Sequence, residues 1–591
     1  MSSFSWVLRP SDLPPGCSNL GAIRDTVGAV ESYLRSSRAT GALLGTCALV
    51  FACATNSAAT TQPTVDGGGP ALAPTVRTVP VALAVDVAAS KHRISPDIYG
   101  VNFAAESGLA GVYRVPIDRW GGNATSRYNY SNRTTNVGSD WYFENIVRSG
   151  PDTLESFVDG DRRRGSSSLV TVPMLGYVAR NSPADHPFLC SFPTSLWRGQ
   201  TDSDPWDPGC GNGIDARGKI AAVPSRTSLS AGPAFDQAMV SWLVRRYGAA
   251  GRGGVRIYGL DNEPALWSEA HRDVHPSPQT YDELTRKSTA TAAAVKRADR
   301  SAAVLGPSDW GWCAYFFSAA EQCGQNRSDH ATHANVDMAP WYLARFRAAS
   351  AAAGVRLLDY FDEHFYPQGS GIALASAGDA DTQARRLRST RSLWDPTYVD
   401  ESWIGRDVGA APIQLIRRMK RWVSAYYPGT KTAITEYNFG GLESINGALT
   451  QADALGIFGR EGLDLATMWA PPKASQPGAF AFRMYRNYNG RGGAFGETSV
   501  RSTTTDQSRL AVYGATRSVD GALTVMVINK SNAAIRAPLA VAHGNYAHGR
   551  GYRYSAAARN RIVDTGVVPI VAGKVTTTYP ANSMTLVVLT R

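Results

Sequence analysis

At 591 residues the chain exceeds one ordinary hydrophobic core, which predicts two domains. Its 18% charged and 10% aromatic residues, with 14 Trp and 25 Tyr, exclude a disordered chain. The net charge of +11 does not imply nucleic acid: the basic residues are scattered, and no zinc-finger spacing, phosphate-binding glycine loop or basic-aromatic RNA motif accompanies them.

Residues 1–53 read as an N-terminal extension that ends in a secretion signal. Arg35 and Arg38 precede the uncharged stretch 39–52, which is short for a membrane span. Val50-Phe51-Ala52-Cys53 is similar to a bacterial lipobox, which would make Cys53 a lipid anchor; cleavage among Ala54 to Ala59 is the alternative. The layout predicts a protein secreted, or lipid-anchored to the outside of a bacterial cell. The segment before Arg35 is long for a signal and fits a start codon placed too far upstream. Residues 54–78 are a polar, Ser/Thr/Gly/Pro-rich linker. Three of the seven cysteines lie at or before Cys53, and the other four form two sequence-close pairs. Their simplest pairing is Cys190–Cys210 and Cys313–Cys323, in an oxidising compartment. A zinc site of four cysteines is disfavoured, because no Cys-x-x-Cys occurs.

From Val79 the chain reads as globular. Residues 79–95 begin with an alternating strand that is expected to join a C-terminal β-sandwich. Residues 96–492 carry eight short apolar segments, near Ile98–Phe103, Tyr113–Arg119, Leu169–Leu175, Val255–Leu260, Ala303–Gly306, Leu357–His364, Thr432–Thr435 and Leu465–Trp469. Alanine-rich helical patterns such as Phe235–Tyr247, Tyr281–Ala298 and Trp341–Ala353 separate most of them. Eight alternations of strand and helix predict a (β/α)8 TIM barrel of the α/β class. Residues 493–591 lack helical patterns and show short alternating strands with turns such as Asp520-Gly521, which predicts an accompanying small β-sandwich.

Two glutamates stand where barrel chemistry is done. Val255–Leu260 runs into Asp261-Asn262-Glu263-Pro264, and proline ends the strand, so Glu263 terminates strand four. Strand seven ends on Glu436, followed by Tyr437 and Asn438. Two carboxyl groups across one barrel are what glycosidic cleavage requires: one protonates the leaving oxygen, and the other attacks the anomeric carbon or activates water. A structural role, with Glu263 capping the next helix and Asn262 bonding the turn, is the alternative.

Long motifs then narrow the family. RWGGNATSRYNY from Arg119, GLDNEPALW from Gly259, DEHFYPQ from Asp362, RSLWDPTYVDESWI from Arg391, TEYNFGG from Thr435, INGALTQADALGIFGREGLDLATMW from Ile445 and FRMYRNYNG from Phe482 occur in this order. From Val79 onward the chain resembles glycoside hydrolase family 44, whose members are retaining endo-β-1,4-glucanases and xyloglucanases. The resemblance implies Glu263 as acid/base and Glu436 as nucleophile, with Asn262 on the sugar 2-hydroxyl. His364, Tyr366 and Tyr437 become candidates to orient Glu436 and to contact substrate. Trp120 and Trp469 are expected to stack on sugar rings, with Asn123 beside them. Trp267, Trp310, Trp312, Trp394 and Trp403 would extend that platform or belong to the core, and Trp312 and Trp403 are retained as binding candidates. Asp261, Asp362, Glu363 and Asp400 are read as salt-bridge and loop groups, and Glu401 as a cleft candidate. No cofactor is expected for catalysis. Structural calcium is a candidate ligand of the Asp202–Asp215 loop, and no other metal is assigned. The expected partner is a β-glucan polysaccharide, with no nucleic acid and no membrane span, and the expected state is a monomer. The rival readings are another barrel glycosidase, such as a mannanase, xylanase or arabinofuranosidase, and a non-catalytic glycan-binding protein.

Overall fold

The computed structural model describes residues 80–591 apart from Val408, so the readings for the signal, Cys53 and the linker lie outside the described residues. Eight parallel strands close into a barrel: β1 (Gly100–Asn102), β2 (Ile117–Trp120), β3 (Ser167–Val172), β4 (Ile257–Leu260), β5 (Ala303–Asp309), β6 (Tyr360–Glu363), β7 (Lys431–Ile434) and β8 (Leu465–Met468). The ring is sealed where β8 pairs with β1, Thr467 opposite Gly100. The expected barrel is therefore present, and each predicted strand overlaps an observed one. Helices Pro233–Tyr247, Tyr281–Ala298 and Met338–Ala353 pack outside it.

Side chains alternate along each strand, so one phase fills the barrel. Ile117, Leu169, Ile257, Leu305, Tyr360, Ala433 and Leu465 form that inner layer. β1 contributes Gly100, because a Cβ there would lie 2.5 Å from Ile117 Cγ2. Two residues further along the same phase come Asn102, Arg119, Thr435 and Thr467, a polar layer at the C-terminal mouth. Asn102 Nδ2 donates to the carbonyls of Thr435 and Thr467 at 3.1 and 3.2 Å, and its Oδ1 accepts from Arg119 Nη1 at 3.1 Å, so the Asn102 amide is satisfied within this layer.

The connections after β2 and β3 carry a three-stranded sheet, Thr134–Asn136, Glu144–Val147 and Leu189–Cys190, over that mouth. Cys190 is disulfide-bonded to Cys210, and Cys313 to Cys323.

The C-terminal strands form a second β unit. The first strand among the described residues, Leu83–Asp86, pairs antiparallel with Thr498–Thr504 and parallel with Ile535–Ala542. Strands Leu523–Asn529 and Ser583–Thr590 are buried on nearly every residue rather than alternating in and out. The reason is their position. Val525, Val527, Val587 and Leu589 face the sandwich core, whereas Met526, Ile528, Met584 and Leu586 join the barrel core. Helix Ile445–Glu461 lies between and is buried from Asn446 to Gly459. Its Asp453 accepts from Tyr513 Oη and from Lys530 Nζ, both at 2.7 Å.

Candidate active site

The β4 terminus is bent by two non-glycine residues in the left-handed region, Asp261 at φ 65° and Glu263 at φ 45°. Such strain persists only where surrounding bonds over-determine it. Asp261 supplies those bonds, accepting from Ser126 Oγ, from the Asn262 amide and from the Met174 amide. Glu263 N–H donates to the Ser308 carbonyl at 2.9 Å, and Asp309 Oδ1 accepts from the amides of Ala265 and Trp310. Glu263 is thereby aimed into the mouth of the barrel.

Glu436 enters from the end of β7. Arg119 Nη1 donates to its Oε1 at 2.7 Å and Tyr366 Oη to its Oε2 at 2.8 Å. His364 Nδ1 hydrogen-bonds Glu263 Oε1 at 2.9 Å and lies 3.6 Å from Glu436 Oε2. One ligand atom from each of Glu263, His364 and Glu436 lies within 4.8 Å of the other two. A bound cation there would displace Arg119, whose guanidinium already supplies the positive charge.

The two carboxyl groups differ in environment. Burial pushes Glu263 up to about 8; Arg119 pulls it down, and Asp140 adds to the rise. Burial also lowers His364, against the pull of Glu436, so the imidazole is neutral near pH 7. Asp309 beneath Glu263 is raised by burial to about 7, and the facing Glu263 contributes.

Asn262 is fixed beside the pair. Its Oδ1 accepts from Arg119 Nη2 at 2.8 Å and from Gly122 N at 3.1 Å, and its Nδ2 donates to Asn123 Oδ1 at 3.1 Å. Trp469 is half-buried and leans on this corner, since a Cβ on Gly122 would come 2.6 Å from its ring. Trp403, also half-buried, donates to Gln368 Oε1 at 3.2 Å, two residues beyond Tyr366. Trp310 is half-buried next to Asp309.

Three expected contact residues are elsewhere. Trp120 follows Arg119 on β2, so alternation turns it out of the barrel. It is 1% exposed, edge-on to Phe103, Tyr128 and Phe157. Tyr437 lies past the end of β7, where the alternation through Ala433 and Thr435 is no longer kept: it packs on Phe458, and its hydroxyl accepts from Gln451. It neither orients Glu436 nor reaches the cleft. Trp312 is buried on a short helix against Phe316, with Arg418 over its ring. Trp267 is core, and Trp394 lies under Arg460. Among the acidic residues, Glu401 is held by Arg388 at 2.7 Å, and Asp362 bonds Ser308 and Thr435.

Sequence reasoning missed Arg119 and Asp140. Arg119 had a signal, since it shares the inward phase of Ile117. Asp140, half-buried at the tip of the hairpin over the mouth, had none.

A second acidic cluster sits under the same hairpin. Glu144 is fully buried, and neither of its carboxylate oxygens has a partner; Asp204 Oδ2 is also unpartnered, and Asp207 is adjacent. Burial and the facing Asp204 and Asp207 push Glu144 up to about 10. Buried carboxylate oxygens converging without a counter-charge are a donor set for a hard cation. Cys210 is nearby, but its sulfur is held in the disulfide.

Comparison with known proteins agrees with this geometry. The model of glycoside hydrolase family 44 matches residues 134–369. Endoglucanase A of Paenibacillus lautus is 34% identical over 486 residues, which is 77% of this chain and 66% of that protein, so the chain spans about two thirds of its length. The crystal structure of CelM2, a bifunctional glucanase-xylanase from a metagenome library, is 40% identical with a TM-score of 0.81, covering 86% of this chain and 99% of that one. A family 44 endoglucanase from Clostridium acetobutylium ATCC 824 is 31% identical with a TM-score of 0.72, over 87% of this chain and all of that one. With a barrel that ends β4 and β7 on facing glutamates, and with relatives of this likeness along nearly its whole described length, the chain belongs to glycoside hydrolase family 44.

Proposed function

We propose that the chain is a retaining, endo-acting glycoside hydrolase that cuts β-1,4-glucan backbones, cellulose-type glucan and xyloglucan, with Glu263 as acid/base and Glu436 as nucleophile. The observation that carries this reading is the pairing of a buried Glu263 with a Glu436 held by two donors, an oxygen of each within 4.8 Å of the other. Retaining enzymes need carboxyl groups about 5–5.5 Å apart, whereas inverting ones leave room for water at about 6.5–9.5 Å.

In the first step Glu436 attacks the anomeric carbon while Glu263 gives its proton to the departing glycosidic oxygen. The new ester removes the charge of Glu436, so the Arg119 guanidinium is left to act on Glu263 and favours its ionised form. Glu263 then takes a proton from water, which attacks the anomeric carbon and releases Glu436. Asn262 Nδ2 keeps one N–H for the 2-hydroxyl, a bond that strengthens as the oxocarbenium-like state develops. Trp469 and Trp403 offer half-exposed rings for the sugar faces.

The substrate is polymeric and cannot enter a cell, so the work is extracellular. Among the described residues no helix is long and apolar enough to cross a membrane. Secretion, with Cys53 as a lipid anchor, fits the N-terminal sequence, and mass spectrometry of the mature N-terminus decides between anchor and free protein. One chain supplies every residue of the site, so the working unit is a monomer; light scattering that finds a stable dimer would contradict this. Glu144, Asp204 and Asp207 are proposed to hold a structural calcium ion, whose charge would stabilise the hairpin over the mouth. Chelation should then lower Tm, and an unchanged Tm would exclude it.

Hydrolysis of carboxymethyl-cellulose, xyloglucan, xylan and mannan, with E263Q and E436Q alongside, tests the central reading. Glucan cleavage lost in both variants supports it. Cleavage of xylan alone would favour the second reading, a xylanase, which CelM2 brings into view as a glucanase-xylanase. Binding without cleavage would overturn both.

A further inference from the structure

Between the hairpin tip and the cleft run two amides and a carboxyl whose directions follow from chemistry. Arg119 Nη2 and the Gly122 backbone N–H can only donate, and both meet Asn262 Oδ1. The far side of that amide is therefore Nδ2, which donates to Asn123 Oδ1 at 3.1 Å. Asn123 must then present its own Nδ2 outward, and it meets Asp140 Oδ1 at 3.1 Å. The relay needs an acceptor at its outer end, and a carboxylate is one. The tip itself is locked: Gly138, at φ 60°, packs so closely on the segment after β4 that a Cβ would lie 2.9 Å from His271 Nδ1.

We propose that Asp140 is a positioning residue of the cleavage reaction: through Asn123 it holds the Asn262 amide so that its second N–H is left for the sugar, and it places a negative charge on the Glu263 side of the cleft. The inference rests on the roles of Glu263 and Asn262 proposed above.

The electrostatics agree. Burial raises Asp140 to about 6; the Asn123 bond opposes the rise, and Glu436 adds to it, so Asp140 is ionised at neutral pH. Its charge is one of the influences that raise Glu263. The other groups facing Glu263 are Arg119 from β2, which opposes that rise, His364 and Tyr366 from just beyond β6, Glu436 from just beyond β7, Asp309 from β5 and Tyr315 from the short helix after it.

The test compares D140A, D140N and E263Q in kcat, KM and pH profile on carboxymethyl-cellulose and on an aryl β-cellobioside. D140A should lower kcat about 10- to 100-fold with little change in KM, the cost of a loosened reacting geometry. D140N still accepts from Asn123 through its carbonyl oxygen, so it should recover most of that rate, while its alkaline limb moves to lower pH for want of the charge. Wild-type kcat in D140A, or a D140N profile with the limb unmoved, overturns the proposal; should D140A not fold, the D140N limb alone decides. Full activity in E263Q would instead overturn the reading beneath it.

Discussion

The guanidinium of Arg119 meets the carboxylate of Glu436 at 2.7 Å, with the two side chains 1% and 6% exposed. Its other nitrogen reaches Asn262, so one fork spans the proposed nucleophile and the amide beside the proposed acid. A lysine ammonium is a point charge and cannot hold both. R119K should therefore lower kcat/KM by about 10²- to 10³-fold, mainly in kcat, in steady-state assays on soluble glucan. Wild-type kinetics in R119K would show that the fork is dispensable.

Glu263, raised by burial to about 8, gives the pH dependence its sign. As the acid it must be protonated, so kcat/KM should fall as pH rises through about 8. Linkage acts in the same direction on stability. A carboxyl whose folded pKa exceeds its unfolded value of 4.5 costs nothing below that value and destabilises progressively as pH rises toward 8. E263Q should remove this cost, adding about 3 kcal/mol at pH 7 and little at pH 4. Calorimetry at the two pH values checks it.

Trp120 and Trp469 should separate packing from binding. W120A empties a fully enclosed site and should cost about 3–5 kcal/mol of stability. The same change at half-buried Trp469 should mainly raise KM for polymer, with a smaller fall in Tm. Denaturant unfolding and kinetics on both variants distinguish these outcomes.

Asp453 and Lys530 form a pair at 1% and 4% side-chain exposure where helix Ile445–Glu461 meets the sandwich. D453A strands a buried ammonium and also removes the acceptor for Tyr513 and Thr390. The expected loss is about 3–5 kcal/mol, with kcat unchanged for the molecules that remain folded. Thermal unfolding with active-site titration measures both.

Much of this protein was legible along the chain. Eight apolar segments between helical patterns specified a barrel, and proline after Glu263 and polar residues after Glu436 marked the ends of strands four and seven, because strand propensity and chain breaks are local properties. The cysteine pairs were legible for the same reason, being close in sequence. What only the tertiary structure decided was which way each side chain turns. Trp120 faces outward because Arg119 holds the inward phase, whereas Glu436 and Tyr437 lie past the end of β7, where the phase set by Ala433 and Thr435 is broken and Tyr437 packs on Phe458. A buried arginine is tolerable only where distant carboxylate and amide groups meet it, and Glu436 lies 317 residues away along the chain. Asp140 comes to the cleft on a hairpin whose tip is seated by Gly138 against the segment after β4. Phase, charge compensation and loop docking are long-range, so they were settled only when the chain closed.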